Sequence, residues 1–225
     1  MTHKRIKIKI CGITRLEDAT LARDHGCDLL GFIFTRQSPR YITAQIAAPM
    51  IETLREKGCV EIAGVFKDQP LEEVLSIAGA LDLDYVQLHG EEDENYIAGL
   101  DRPVIKAIVY GDDGGNRALA KYSSSRTILL DLPKQGMVID KTSARKELES
   151  IMAEAEHSDR RIMVAGGLDA DSIVDLLNRF SPWAIDLCSA VESGPGIKDR
   201  AKMTKLLGLF QTISKAKEKH YVNQH

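Results

Sequence analysis

The chain has no long hydrophobic run. None of its apolar stretches approaches the roughly 18 residues that a membrane span needs, so no membrane partner is expected. It also has no strong excess of charge. Lys and Arg number 30, Asp and Glu 33, and the net charge is −3. Binding to nucleic acid or to an anionic membrane usually leaves a basic footprint, and none is present. The four cysteines, Cys11, Cys27, Cys59 and Cys188, include no CxxC pair. That argues against a disulfide framework and against a structural zinc site. The opening MTHKRIKIKI lacks a signal-peptide hydrophobic region and cleavage site, and a cytoplasmic protein is expected. No interdomain linker divides the 225 residues. A single domain over residues 1–225 is expected, with a polar tail, KEKHYVNQH from residue 217, that is free to fray.

What the chain does have is alternation. Eight short apolar runs recur along it: IKIKI (6–10), LLGFIF (29–34), VEIAGVF (60–66), YVQLH (85–89), VIKAIV (104–109), TILLD (127–131), RIMVAG (161–166) and WAIDLC (183–188). Most are rich in Val, Ile and Leu and bounded by Gly, Pro or charge, as buried parallel strands are. Amphipathic stretches lie between them. RLEDATLARDHG sets Leu16, Ala19 and Ala22 at helical spacing and closes on Gly26. TAQIAAPMIETLREKG closes on Gly58, and PLEEVLSIAGAL opens with Pro70 at the first helical position. This order predicts an α/β protein, a (β/α)8 TIM barrel, with right-handed crossovers. A doubly wound open sheet is the alternative.

In a barrel of this kind the active site lies where strands end and βα loops begin. Cys11, Arg36, Arg40, His89 and Asp131 all fall at such ends. Each has a plainer reading: buried thiol, solvated loop charge, structural histidine, turn cap. Their shared address favours chemistry. A thiol and a carboxyl facing one pocket can act as base and acid when their pKa values are tuned apart. His89 and Arg40 are candidates for binding substrate. The glycine-bearing stretches VAGGLDADS and SAVESGPGIKD follow strands 7 and 8. Loops at those positions often hold phosphate through converging backbone N–H groups. Asp169 and Asp171 suit helix caps. His25 suits a helix C-terminus, and GEEDE (90–94) reads as the acidic first turn of a helix rather than a metal site. Cys27 and Cys59 read as structural.

The segments KICGIT (9–14), GFIFTRQSPRYIT (31–43), GVF (64–66), VQLHGEE (86–92), ILLD (128–131), AGGL (165–168) and DLCSAVESGPGIKD (186–199) together resemble the phosphoribosylanthranilate isomerase family of tryptophan biosynthesis. The match covers nearly the whole chain, in the family's order. The resemblance implies a (β/α)8 fold and an Amadori rearrangement of N-(5′-phosphoribosyl)anthranilate to the carboxyphenylamino-deoxyribulose phosphate. It implies Cys11 as general base and Asp131 as general acid. Arg40 would meet the anthranilate carboxylate, and the backbone of Gly166, Gly167, Ser189 and Ala190 would hold phosphate. No metal or organic cofactor is required, and the partner is a phosphorylated aminosugar substrate. The protein would be a monomer or a homodimer.

Two segments depart from the family pattern. The loop after strand 6, LPKQGMVIDKTSARKE (132–147), has one glycine and lacks the family's Phe and Trp. Lys134 or Lys141 could supply a cation there, and Met137 and Val138 could pack on an aromatic ring or cover the barrel mouth. The strand-8 segment carries Cys188 and Ala190 where the family usually has Ser and Gly. The altered loop suits a second reading, a catalytically weak paralogue that binds a related phosphorylated sugar as a sensor or partner protein. Another aminosugar isomerase is a further alternative. A phosphosugar epimerase fits less well, since no metal or paired-carboxylate cluster stands out at the rim.

Overall fold

A computed structural model describes residues 5–58, 60–109, 119–132 and 141–222. Eight parallel strands close on one another in chain order: β1 (Lys7–Cys11), β2 (Leu29–Ile33), β3 (Glu61–Phe66), β4 (Tyr85–Leu88), β5 (Val104–Val109), β6 (Thr127–Asp131), β7 (Arg161–Ala165) and β8 (Ala184–Leu187). β8 returns to pair with β1, with Lys9 opposite Asp186 and Ile10 opposite Leu187. The expected barrel is therefore the observed one, and the open-sheet alternative is excluded. The strands read as near-continuous apolar runs because both of their faces are covered, one by helices and one by the barrel interior.

The helices lie outside: α1 (Leu16–Asp24), α2 (Ala44–Glu56), α3 (Leu71–Ala80), α4 (Glu94–Ala98), α5 (Lys141–His157), α6 (Ala170–Arg179) and α7 (Arg200–Val222). α1 buries Ala19 and Ala22 on the barrel, with Leu16 packed beside them. Gly26, just past the end of α1, has φ +80°, the left-handed backbone that closes a helix without a Cβ penalty. Thr43 caps α2 by accepting from Ile46 N, and Asp169 and Ser172 form a reciprocal capping box on α6. The helix α7 runs to Val222, so the tail expected to fray lies partly within it and partly outside the described residues.

Two local expectations are corrected. Pro70 is the N-cap of α3 rather than its first residue, with extended backbone at φ −54°, ψ 140°. In GEEDE only Glu94 lies in the first turn of α4, and Asp93 caps it. Glu92 is buried, paired with Lys106 at 2.8 Å, and accepts from the backbone N–H groups of Asp68 and Gly90. The carboxylate satisfies a buried lysine and a tight loop, a demand that the run of acids does not reveal. Among the described residues no cluster of His, Cys, Asp and Glu could hold a metal ion, and no helix is long and apolar enough to cross a membrane.

Cys59, most of the segment after β5, and residues 133–140 with Lys134, Met137 and Val138 lie outside the described residues. An unanticipated feature follows β8. A short 3-10 turn (Ser189–Val191) leads into a small antiparallel hairpin of β9 (Glu192–Gly194) and β10 (Ile197–Lys198). This hairpin delivers two charged side chains to the barrel mouth.

Candidate active site

The C-terminal ends of the strands enclose a cavity of about 430 Å³. Cys11, Arg40, His89, Asp131, Gly166, Gly167, Ser189 and Ala190 all line it. Arg36 is exposed and is not among the lining residues.

Cys11 ends β1 and is 5% exposed. It packs with Ile33, Val65 and Cys188 at the top of the barrel interior. Gly12 follows with φ +74°. A Cβ on Gly12 would meet the Arg40 side chain at 2.6 Å and Cys188 Sγ at 3.2 Å. The glycine thus lets the chain turn and lets Arg40 lie across the thiol's strand.

Behind Cys11 the odd residues of β1 and the even residues of β8 share the interior face. Lys9 Nζ donates to Asp186 Oδ2 at 2.8 Å, with the lysine 0% exposed. Burial opposes the Lys9 charge, but Asp186 and Cys11 outweigh it and raise its pKa. The Cys11 thiol moves the other way, from the ordinary 9.0 down to about 7. Its hydrogen bond with Cys188 is the largest cause; burial works against it, and Lys9 and Lys198 add to the lowering. Cys27 is the contrast. Its thiol donates to Leu29 O at 2.8 Å, and burial pushes its pKa up to about 12. A thiol of that kind stays protonated and inert.

The loop after β2 folds back through a hydrogen bond from Ile42 N to Ile33 O at 3.0 Å, which sets Arg40 over the mouth. Its Nε and Nη2 donate to the Glu192 carboxylate at 2.8 and 2.6 Å. Lys198 Nζ donates to Glu192 Oε1 at 2.9 Å and also to Cys11 O. Burial alone would raise the Glu192 pKa, but Arg40 and Lys198 outweigh it and hold it below the usual range. The hairpin therefore clamps Arg40 and ties it to the strand that bears the thiol.

On the opposite side, Asp131 ends β6 beside Ala165 of β7. Gly166 has φ +84°. A Cβ there would lie 1.9 Å from Leu132 O and 2.6 Å from Asp131 Oδ1. The glycine loop and the carboxylate are thus in direct contact. Gly167 also has positive φ, at 52°. Ala190 sits inside the 3-10 turn and is not among the non-glycine residues with positive φ. Alanine in place of glycine therefore brings no backbone strain at that point.

Three buried polar atoms on the cavity lining lack a hydrogen-bond partner: Gln87 Oε1, His89 Nε2 and Asp186 Oδ1. Burial, with help from Lys9 and Lys106, lowers the His89 pKa to about 4, so the ring is neutral near pH 7. Unpaired buried polar atoms are costly. Here they form a wall suited to a ligand that carries hydroxyl groups.

Sequence reasoning missed Lys9, Gln87, Asp186, Glu192 and Lys198. Lys9 and Asp186 do leave a signal: Lys9 alternates with isoleucines in IKIKI, and Asp186 is the one charge in WAIDLC. In a closed barrel the first and last strands are neighbours, so the two charges can pair. Glu192 and Lys198 lie in SAVESGPGIKD, a short stretch whose pattern is dominated by its glycines.

The model of the N-(5′phosphoribosyl)anthranilate (PRA) isomerase family matches residues 8–208. The N-(5′-phosphoribosyl)anthranilate isomerase of Pelobacter propionicus is 38% identical over 202 residues, covering 90% of this chain and 94% of that protein. The crystal structure of phosphoribosyl anthranilate isomerase from Thermus thermophilus superposes with a TM-score of 0.78 at 34% identity, covering 92% of this chain and 100% of that one. A phosphoribosyl anthranilate isomerase solved in complex with reduced 1-(o-carboxyphenylamino)-1-deoxyribulose 5-phosphate gives a TM-score of 0.78 at 30% identity, covering 92% and 99%.

Proposed function

The chain belongs to the N-(5′-phosphoribosyl)anthranilate isomerase family, and on that premise we propose that its barrel mouth carries out the Amadori rearrangement of N-(5′-phosphoribosyl)anthranilate, with Cys11 as base and Asp131 as acid. The observation that carries the assignment is the shared cavity. A thiol with a pKa of about 7 and a carboxylate from the far side line the same space as two glycine-bearing loops.

In this reading the substrate phosphate lies against the backbone of Gly166, Gly167, Ser189 and Ala190. Asp131 protonates the ribose ring oxygen, and the C1′–O bond opens to a Schiff base. The Cys11 thiolate then removes the proton from C2′. The resulting enolamine tautomerises to the aminoketone, and the reaction is redox-neutral overall. A base with a pKa near the working pH combines a useful ionised fraction with useful basicity. Arg40 uses the N–H groups that Glu192 does not occupy to receive the anthranilate carboxylate. Gln87, His89 and Asp186 offer their unpaired atoms to the sugar hydroxyls. The reading places the protein in the cytoplasm, in tryptophan biosynthesis.

Turnover of freshly generated N-(5′-phosphoribosyl)anthranilate by the purified wild type tests the proposal. Formation of the aminoketose phosphate at enzyme-dependent rates is expected. Absence of product, with binding of a reduced product analogue intact, would favour the phosphosugar-binding paralogue instead.

A further inference from the structure

The pairing of the first and last strands brings together two cysteines far apart in sequence. Lys9 lies opposite Asp186 and Ile10 opposite Leu187 on the neighbouring strands β1 and β8. Cys11 is the last residue of β1 and Cys188 directly follows β8, where a Cβ on Gly12 would lie 3.2 Å from Cys188 Sγ. Both thiols line the barrel mouth and pack in one cluster. The last paired residues before them, Ile10 and Leu187, lie on strands ~4.8 Å apart, inside the range of about 4.4–6.8 Å in Cα separation that a disulfide spans. Both cysteines are free in this structure, and both line the cavity that opens to solvent.

We propose that Cys11 and Cys188 form a reversible oxidation site that a hydroperoxide converts to a disulfide. The Cys11 thiolate attacks the peroxide O–O bond. One oxygen goes to sulfur, giving the sulfenic acid, and the other leaves as alkoxide or hydroxide and takes up a proton. The Cys188 thiol then displaces water from that sulfenic acid to form the S–S bond. Two thiols lose two electrons and the peroxide gains two, so the step balances. Because Cys188 sits beside the reacting sulfur, closure competes with overoxidation to the irreversible sulfinic acid. A dithiol reverses the bond by exchange.

The chemistry rests on the strand pairing and the thiol cluster rather than on the assigned reaction, and it can be read without turnover. The test is hydrogen peroxide titration of the full-length protein, then alkylation and non-reducing tryptic mass mapping. The expected result is a loss of ~2 Da and a link between peptides 10–15 and 180–198, both abolished by dithiothreitol. Isomerase activity, if present, falls and returns with the link. The variant Cys188→Ser should lose the link and accumulate Cys11 sulfinic acid that dithiothreitol does not rescue. A link from Cys11 to Cys27 or Cys59, overoxidation of wild-type Cys11 without a link, or no oxidation at all would overturn the proposal.

Discussion

Lys9 and Asp186 form an ion pair at 2.8 Å across the seam where the first and last strands close the barrel, with the lysine 0% exposed. The pair sits two residues before the Cys11–Cys188 position on the same interior face. It therefore has two functions: it neutralises a buried charge, and it sets a cation behind the thiol.

Replacement of Lys9 by Met separates these functions. Asp186 would be left buried and unpaired, which costs about 3–5 kcal/mol when a buried pair is broken. A urea midpoint well below that of the wild type is expected. In protein that remains folded, the thiolate absorbance of Cys11 should appear at higher pH. A variant as stable as the wild type, with an unmoved thiol titration, would remove the pair from the account.

The Cys11 pKa of about 7 fixes the sign of two pH effects. A base must be ionised, so the Cys11 limb of the kcat/KM profile should rise as pH increases through about 7. Stability follows linkage. The folded pKa is below the ordinary thiol value, so the contribution is present above the unfolded pKa and is lost as pH falls from about 9 to about 7. Urea midpoints of wild type and Cys11→Ala should differ in their pH slope within this window, from about 7 to about 9, and share it on either side. A slope shared throughout would contradict the assignment.

His89 gives the second titration. Burial is the main reason that its pKa drops to about 4. Between about 4 and the ordinary 6.5 the unfolded chain binds a proton that the folded chain does not. Stability should therefore fall as pH is lowered through that window, and His89→Gln should flatten the fall. Histidine NMR shifts check the value directly. A ring that titrates near 6.5 would contradict it.

Gly166 is tested by contrast with Gly194. Alanine at 166 would place its Cβ 1.9 Å from Leu132 O, on a backbone with φ +84°, whereas a Cβ at 194 meets nothing within 4 Å. The left-handed backbone alone costs about 1–2 kcal/mol, and the clash adds to it. Gly166→Ala should lower the melting temperature and displace Asp131. Gly194→Ala should leave both near wild type, as thermal melts and phosphate-ester binding would show.

Much of this architecture was legible because a parallel barrel writes a simple pattern. Runs such as TILLD and LLGFIF are apolar throughout since both faces are buried, and Gly26 and Gly58 mark helix ends. That Cys11 and Asp131 line one cavity was legible through their position at strand ends. The clamp of Arg40 by Glu192 and Lys198 was not, because it depends on a hairpin of only a few residues that no periodicity announces. Nor was the role of Glu92, hidden in an acidic run that looks like a solvated turn. The Lys9–Asp186 pair depends on closure, which relates residues 177 positions apart.

The most direct measurement is steady-state turnover of N-(5′-phosphoribosyl)anthranilate carrying deuterium at C2′, for wild type, Cys11→Ala and Asp131→Asn. The account predicts that each variant loses at least about 10²-fold in kcat, the scale of a general acid or base. It also predicts that deuterium slows the wild type if C2′ proton removal limits the rate. Wild-type-like turnover by Cys11→Ala or by Asp131→Asn would contradict the central claim that these two residues divide the proton transfers.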